Sequence, residues 1–179
     1  RALAVLPTLQ KNAILLAMAE ALEKRQGEIL EANAADIAAA ESKGTSPAML
    51  DRLALNEGRI HSMAEGLRKV AGLPDPVGEV IGGGTAASGL RITKRRVPLG
   101  VVGIIYEARP NVTSDAMGLC LKTGNGVILK GGSEAVASNA AIARIMTEAG
   151  ISRGLPEDAV CFVSDTSREC VNEMMKMNG

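Results

Sequence analysis

Three polar residues interrupt one of the most apolar stretches of the chain. In RRVPLGVVGIIYEARPNVTSDAMG (95–118), a largely β-branched run, Val101–Ile105, passes directly into Tyr106-Glu107-Ala108-Arg109-Pro110-Asn111. The run reads as a buried strand. Its end therefore carries a carboxylate, a guanidinium and an amide where a core would take hydrocarbon. An amide such as Asn111 can donate to negative charge developing in a dry site. A guanidinium such as Arg109 can grip a carboxylate or phosphate through paired hydrogen bonds. The plainer alternative is structural. Pro110 disfavours helical geometry at Arg109, Asn111 or Thr113 caps the following helix, and Glu107 pairs with Arg109 on the surface.

A second group lies at the end of NGVILK, in LKGGSE (129–134). Gly131 and Gly132 permit close backbone approach after Lys130. Ser133 is an N-cap candidate, with Glu134 in the first turn and free N–H groups facing outward. A cation before a helix start suits a phosphate or a ribose. Equally, Lys130 could run out along the sheet to water while the two glycines only turn the chain. The G-x-G-x-x-G fingerprint after a strand is missing, and so is the Walker pattern. Cys120, Cys161 and Cys170 show no CxxC spacing, and the single His61 is remote, so no zinc set forms. All three cysteines have apolar neighbours and read as buried free thiols in a reducing compartment.

These residues need elements to hold them. From Gly100 the rhythm is βαβαβ: VVGIIY, helix NVTSDAMGLCLKTG stopped by Gly124, NGVILK, helix SEAVASNAAIARIMTEAG closed by Gly150, then AVCFVS and a last helix. Continuous apolar strands alternating with helices predict a parallel α/β sheet covered on both faces, with ligands at the carboxyl ends of its strands. The first seventy residues are helical. One stripe runs through Leu9, Ala13, Leu16, Ala19 and Leu22, and a second through Ile29, Leu30, Ala34 and Ile37 with Gly44 as its stop. A third helix opens on Ser46-Pro47. A fourth is capped by Asn56 and striped by Ile60, Met63, Ala64, Leu67 and Val70. Between these regions, a stretch rich in Gly and Pro fits two short strands, about 78–81 and 90–97. The basic run Lys94-Arg95-Arg96 reads as a solvated strand face.

Composition removes several classes. Twenty basic residues balance twenty acidic ones, so no field draws in nucleic acid or an anionic membrane. One Tyr, one Phe and no Trp leave little for base stacking. No apolar run is long enough to span a membrane, and no signal peptide opens the chain. The expected compartment is the cytoplasm. The chain begins at Arg1 within an apolar segment and stops at MMKMNG, so both ends read as cut.

At this level of detail a family becomes visible. The stretch RRVPLGVVGIIYEARPNVTSDAMGLCLKTGNGVILKGGSEAVASN resembles the long signature of bacterial γ-glutamyl phosphate reductases, also called glutamate-5-semialdehyde dehydrogenases. ILEANAADIAAAESKG, AMLDRLAL, GLRKVAGLPDPVGEV and SGLRITKRRVPLG match as well. The resemblance runs along the whole chain and covers roughly the first half of a family member. It implies the aldehyde dehydrogenase superfamily. Residues 1–77 would then be the helical part of a cofactor domain, 78–98 an oligomerisation arm, and 99–179 a Rossmann-like NADP-binding unit, with the catalytic domain absent.

The resemblance also implies roles. Lys130, Ser133 and Glu134 occupy the place of the K-x-x-E-type element that holds the adenosine ribose and its phosphate. Lys130 and Glu134 stand one residue further apart than that element does. Ile105 and Tyr106 would border the cofactor, NADP(H). Asn111 is the oxyanion candidate, with Arg109 as the alternative and as the substrate ligand. The implied reaction is NADPH-dependent reduction of L-glutamyl 5-phosphate to glutamate 5-semialdehyde and phosphate, the second step of proline synthesis. The implied nucleophile is a cysteine beyond Gly179, matched by none of the three here, so the 179 residues alone are expected to be inactive. A homo-oligomer is implied, with glutamate 5-kinase as a candidate partner. Other readings are a non-catalytic nucleotide-binding or oligomerisation module, another aldehyde or acyl-CoA dehydrogenase, and half of a bifunctional kinase–reductase.

Overall fold

A computed structural model describes residues 2–177. Arg1 and the final two residues of MMKMNG lie outside the described residues. After a 3₁₀ turn at Ala2–Val5, four helices follow: α1 (Thr8–Lys24), α2 (Gln26–Ser42), α3 (Pro47–Leu53) and α4 (Glu57–Gly72). An antiparallel pair comes next, β1 (Val80–Thr85) and β2 (Arg91–Arg95). The remainder is β3 (Val101–Ile105), α5 (Asn111–Lys122), β4 (Gly126–Lys130), α6 (Val136–Ile151), β5 (Val160–Phe162) and α7 (Arg168–Lys176). The α/β class and the parallel βαβαβ unit expected from the sequence are present: β3, β4 and β5 form a parallel sheet in that order.

Helix α1 packs chiefly against α4 and α6 and joins the helical segment to the sheet layer. Its buried face is Lys11, Ile14, Leu15, Met18, Ala19 and Leu22. The predicted stripe holds at Ala19 and Leu22 but not at its start: Leu9 is 83% exposed, and Ala13 and Leu16 are exposed as well. Apolar residues surround this helix, so periodicity alone leaves its phase open, and packing selects the face that contains Lys11. In α2 the buried line is Ile29, Asn33, Asp36 and Ala40, while Ala34 faces solvent and Leu30 and Ile37 are only half-buried. The stripe of α4 lies where it was expected, with Ala71 added and Val70 half-buried. Asn56 caps α4 by accepting from Arg59 N–H at 2.8 Å. Ser46 makes no side-chain cap bond, and α3 starts on Pro47. Side chains of α1, α4, α5, β4 and α6 close one continuous core. Each fully buried Leu, Ile or Met contributes about 1.5–3 kcal/mol.

The sheet is not covered on both faces among the described residues. Val102 and Ile104 of β3 pack on the core, but Val101 is 67% and Ile105 47% exposed. Strand β3 lies at an edge, and alternation sends Val101, Gly103 and Ile105 to the opposite face. There a Cβ added at Gly103 would meet Met174 Cε of α7 at 3.6 Å. The expected buried strand is thus half-covered, and Cys161 on the same sheet is exposed. Cys170 is only half-buried, which leaves Cys120 as the one fully buried thiol of the three.

Strands β1 and β2 differ from the expected 78–81 and 90–97 because Gly82-Gly83-Gly84 pair with Lys94, Thr93 and Ile92 despite weak strand propensity. Gly83 has no room for a side chain, since a Cβ there would lie 2.6 Å from Ile92 O. Lys94, Arg95 and Arg96 are solvated, as expected, and Arg96 pairs with Glu79 at 2.7 Å.

A buried polar cluster anchors the base of this pair of strands. Lys11 Nζ reaches Asp75 Oδ2 at 2.9 Å, while Lys122 Nζ donates to Asn12 Oδ1 at 2.7 Å and to Ala71 O at 2.9 Å. Asp75 also accepts from Thr8 Oγ1 and from Val77 N–H, and so fixes the turn into β1.

Candidate active site

The carboxyl ends of β3 and β4 lie side by side, where ligands bind in open parallel sheets. After β3 the chain runs through Tyr106-Glu107-Ala108-Arg109 into α5. Asn111 is the first residue of that helix and makes no cap bond; the N-cap position belongs to Pro110. Thr113 is no cap either, for its buried hydroxyl donates to Asn139 Oδ1 at 3.0 Å and pairs with Tyr106 Oη at 2.7 Å. Both capping expectations fail because the helix starts earlier than Pro110 suggested. Asn111 is thereby free to face a cleft. Arg109 and Glu107 form no ion pair; the contact between them is Arg109 N–H to Glu107 O.

That cleft, of about 470 Å³, lies between the α3–α4 corner and the start of α5. Arg109, Asn111 and Asp115 line one wall, and Asp51, Arg52, Arg59 and Met63 line the other. A smaller neighbouring hollow shares Arg52 and Arg109 and reaches Tyr106 and Glu107. Arg59 is committed to its own corner: it donates to Asp51 O and Ala54 O at 2.5 Å and pairs with the Asp51 carboxylate at 3.1 Å. Arg52 and Arg109 have no carboxylate within ion-pair distance among the described residues. Asn111 Nδ2 donates to Asp115 Oδ2 at 3.3 Å. Burial pushes the Asp115 carboxyl up, and the Asn111 hydrogen bond only partly opposes it. No cysteine lines the cleft, and burial raises the Cys120 thiol, which disfavours the reactive thiolate.

The second strand end departs further from expectation. Lys130 does not run out to water: it is 4% exposed, and Nζ donates to Gly131 O at 3.1 Å. Ser133 caps nothing. It and Glu134 form a 3₁₀ turn, and α6 begins only at Val136. The start of α6 is already closed, because Asp36 of α2 accepts from Ala137 N–H at 3.2 Å and from Ser138 N–H and Oγ–H at 2.7 and 2.6 Å. A charge from the helical segment thus occupies a place the sequence left open for a ligand. Gly131 is required internally as well, since a Cβ there would fall 2.3 Å from Asn139 Nδ2. Asp36, Asn33, Asn139 and the Lys11–Asp75–Lys122 cluster were not anticipated. The one available signal was Asn33 and Asp36 at three-residue spacing on the face that Ile29 begins.

The fold and its clefts can be set beside known proteins. The aldehyde dehydrogenase family model matches residues 1–179. The chain belongs to the aldehyde dehydrogenase family. It is 58% identical over 178 residues to the gamma-glutamyl phosphate reductase of Moorella thermoacetica, covering 99% of this chain and 43% of that one. The crystal structure of gamma-glutamyl phosphate reductase from Thermotoga maritima superposes with a TM-score of 0.95 at 45% identity, over 98% of this chain and 42% of that one. The Saccharomyces cerevisiae structure of the same name gives 0.85 at 32%, over 93% of this chain and 43% of that one. The chain thus spans less than half the length of these relatives.

Membership in this family implies a nicotinamide cofactor. The β4 end fits one in part. Buried Lys130 uses one of its three donors, and Asn139 Nδ2 beside Gly131 has no partner at all. The start of α6 does not fit, because Asp36 fills it.

Proposed function

We propose that the chain is the N-terminal, cofactor-binding portion of an NADPH-dependent γ-glutamyl phosphate reductase. The intact enzyme would reduce L-glutamyl 5-phosphate to L-glutamate 5-semialdehyde and phosphate in proline synthesis. The observation that supports this most is 58% identity along nearly the whole chain to a reductase of that name, with Arg109, Asn111 and Asp115 in one polar cleft. A nucleophilic thiol from the rest of the intact protein would attack the acyl phosphate carbon, and phosphate would leave with the C–O electron pair. A dinucleotide, when bound, would supply the hydride that reduces the resulting thioester to the aldehyde, with release of the thiolate. Within these residues, Asn111 donates a hydrogen bond to the carbonyl oxygen as it gains charge. Arg109 holds an anionic group of the substrate.

Lys130 takes a ribose hydroxyl or phosphate oxygen of NADP(H), beside Ile105, Tyr106, Ser133 and Glu134. Asp36 closes the start of α6, so preference for NADPH over NADH rests on the Lys130 cation. Exposed Val80 and Ile92 on the β1–β2 pair suit contact with another copy or with the rest of the protein. We place the enzyme in the cytoplasm.

Fluorescence titration of the intact protein with NADPH and NADH tests the cofactor reading. Tighter binding of NADPH, lost in Lys130→Ala, is expected. Equal affinity for the two, unchanged by the substitution, contradicts it.

A further inference from the structure

The cleft of about 470 Å³ has the size of a small-molecule site, and its charges are unevenly satisfied. Arg59 is fully engaged with Asp51 and the carbonyls of its own corner. Arg52 and Arg109 have no carboxylate partner among the described residues, and the Asp115 carboxylate has only the Asn111 amide, at 3.3 Å. Gly66 of α4 faces that carboxylate: a Cβ added there would stand 3.9 Å from Asp115 Oδ1. The carboxylate is therefore left room rather than a cation. Burial pushes its proton affinity up, as for an anion whose counter-charge is missing.

We infer that this cleft reads the amino-acid end of the substrate, with Asp115 receiving its α-ammonium group and Arg52 its α-carboxylate. This rests on the reductase reading above and extends it from reaction to specificity. Spacing supports the assignment. Asn111 and Asp115 are four residues apart on α5, a rise of about 6 Å. In an extended glutamyl chain, three C–C bonds of about 1.5 Å each separate the reacting carbonyl carbon from the α-carbon, and the ammonium nitrogen is one bond further. A carbonyl at Asn111 therefore brings the ammonium to Asp115, one helical turn along the same wall. The two free guanidiniums then match the two anionic groups, Arg52 the carboxylate and Arg109 the phosphate. A zwitterionic head held in this way would be favoured over chains of the same length that lack the amine, because against those Asp115 would keep only its bond to Asn111.

The test uses the reverse direction in the intact reductase, phosphate-dependent oxidation of glutamate 5-semialdehyde compared with glutarate semialdehyde, which lacks the amine. Wild type should prefer the amino substrate in kcat/KM, and Asp115→Asn should reduce that preference about 10- to 100-fold. Asp115→Glu, which keeps the charge, should restore part of it and exclude a folding defect. A preference in Asp115→Asn equal to that of wild type overturns the inference while the reductase reading stands. Failure of wild type to oxidise either aldehyde with phosphate removes the reductase reading itself, and the inference falls with it.

Discussion

Replacing Asp36 with Ala tests how the helical segment is locked to the start of α6. Asp36 is 6% exposed, and its carboxylate accepts three hydrogen bonds at the start of α6, from Ala137 N–H, Ser138 N–H and Ser138 Oγ–H. Ala removes both carboxylate oxygens and leaves two backbone donors and a hydroxyl without these partners. A buried donor left unsatisfied costs about 1–3 kcal/mol. Ala137 is only half-buried and counts at the low end, while Ser138 is fully buried, so the total comes to about 4 kcal/mol. Asp36→Asn keeps one oxygen acceptor and should lose about half of that. Chemical denaturation of the intact protein reads both variants as shifts in midpoint at unchanged slope. A loss below about 1 kcal/mol for the Ala variant would mean that Asp36 does not hold α6, and the start of that helix would again be open to a ligand.

Asp75→Asn should be strongly destabilising, by about 3–5 kcal/mol, because it strands buried Lys11. Replacing Lys11 and Asp75 together with apolar residues of similar volume should recover most of that loss in the same denaturation assay. Burial pushes the Asp75 carboxyl up, but hydrogen bonds from Lys11, Val77 N–H and Thr8 outweigh it and hold it below its ordinary value. A carboxyl lowered in this way stabilises the fold above its unfolded value of about 3.9. That contribution disappears as pH falls through the folded value, so the stability gap between wild type and Asp75→Asn should narrow as pH falls below about 3.9, and a gap that stays constant would contradict it. Lys130→Ala should raise KM for NADPH more than it lowers kcat, since the contact is remote from the chemistry; an unchanged KM would take Lys130 out of the cofactor site. Asn111→Ala should lower kcat about 100-fold with little change in melting temperature, since Asn111 caps nothing. Loss of stability with normal turnover would reverse that assignment.

Much of the fold was legible because its signals are local. Hydrophobic alternation, stop glycines such as Gly44 and Gly124, and the Asn56 cap place their elements without tertiary information. The phase of α1 was not legible, because Leu, Ala and Met surround it and only packing against α4 and α6 chooses a face. The burial of β3 was misread because a β-branched run looks the same at an edge as at the centre of a sheet. At the site, Arg109 and Asn111 were visible as polar residues at a strand end. Their companions Arg52 and Asp115 were not, since one lies nearly sixty residues upstream and the other has the look of an ordinary exposed helix residue. The closed start of α6 was invisible for a similar reason: Asp36 is about a hundred residues from the N–H groups it accepts, and no local pattern joins them.

The central claim is that this chain serves a reductase of glutamyl phosphate. The most direct measurement is NADP⁺ reduction by the intact protein with glutamate 5-semialdehyde, with and without inorganic phosphate. The account predicts turnover that requires phosphate, because the acyl phosphate can form only when phosphate displaces the thiol. Turnover at the same rate without phosphate, with the free acid as product, would contradict it and make the protein an aldehyde oxidiser.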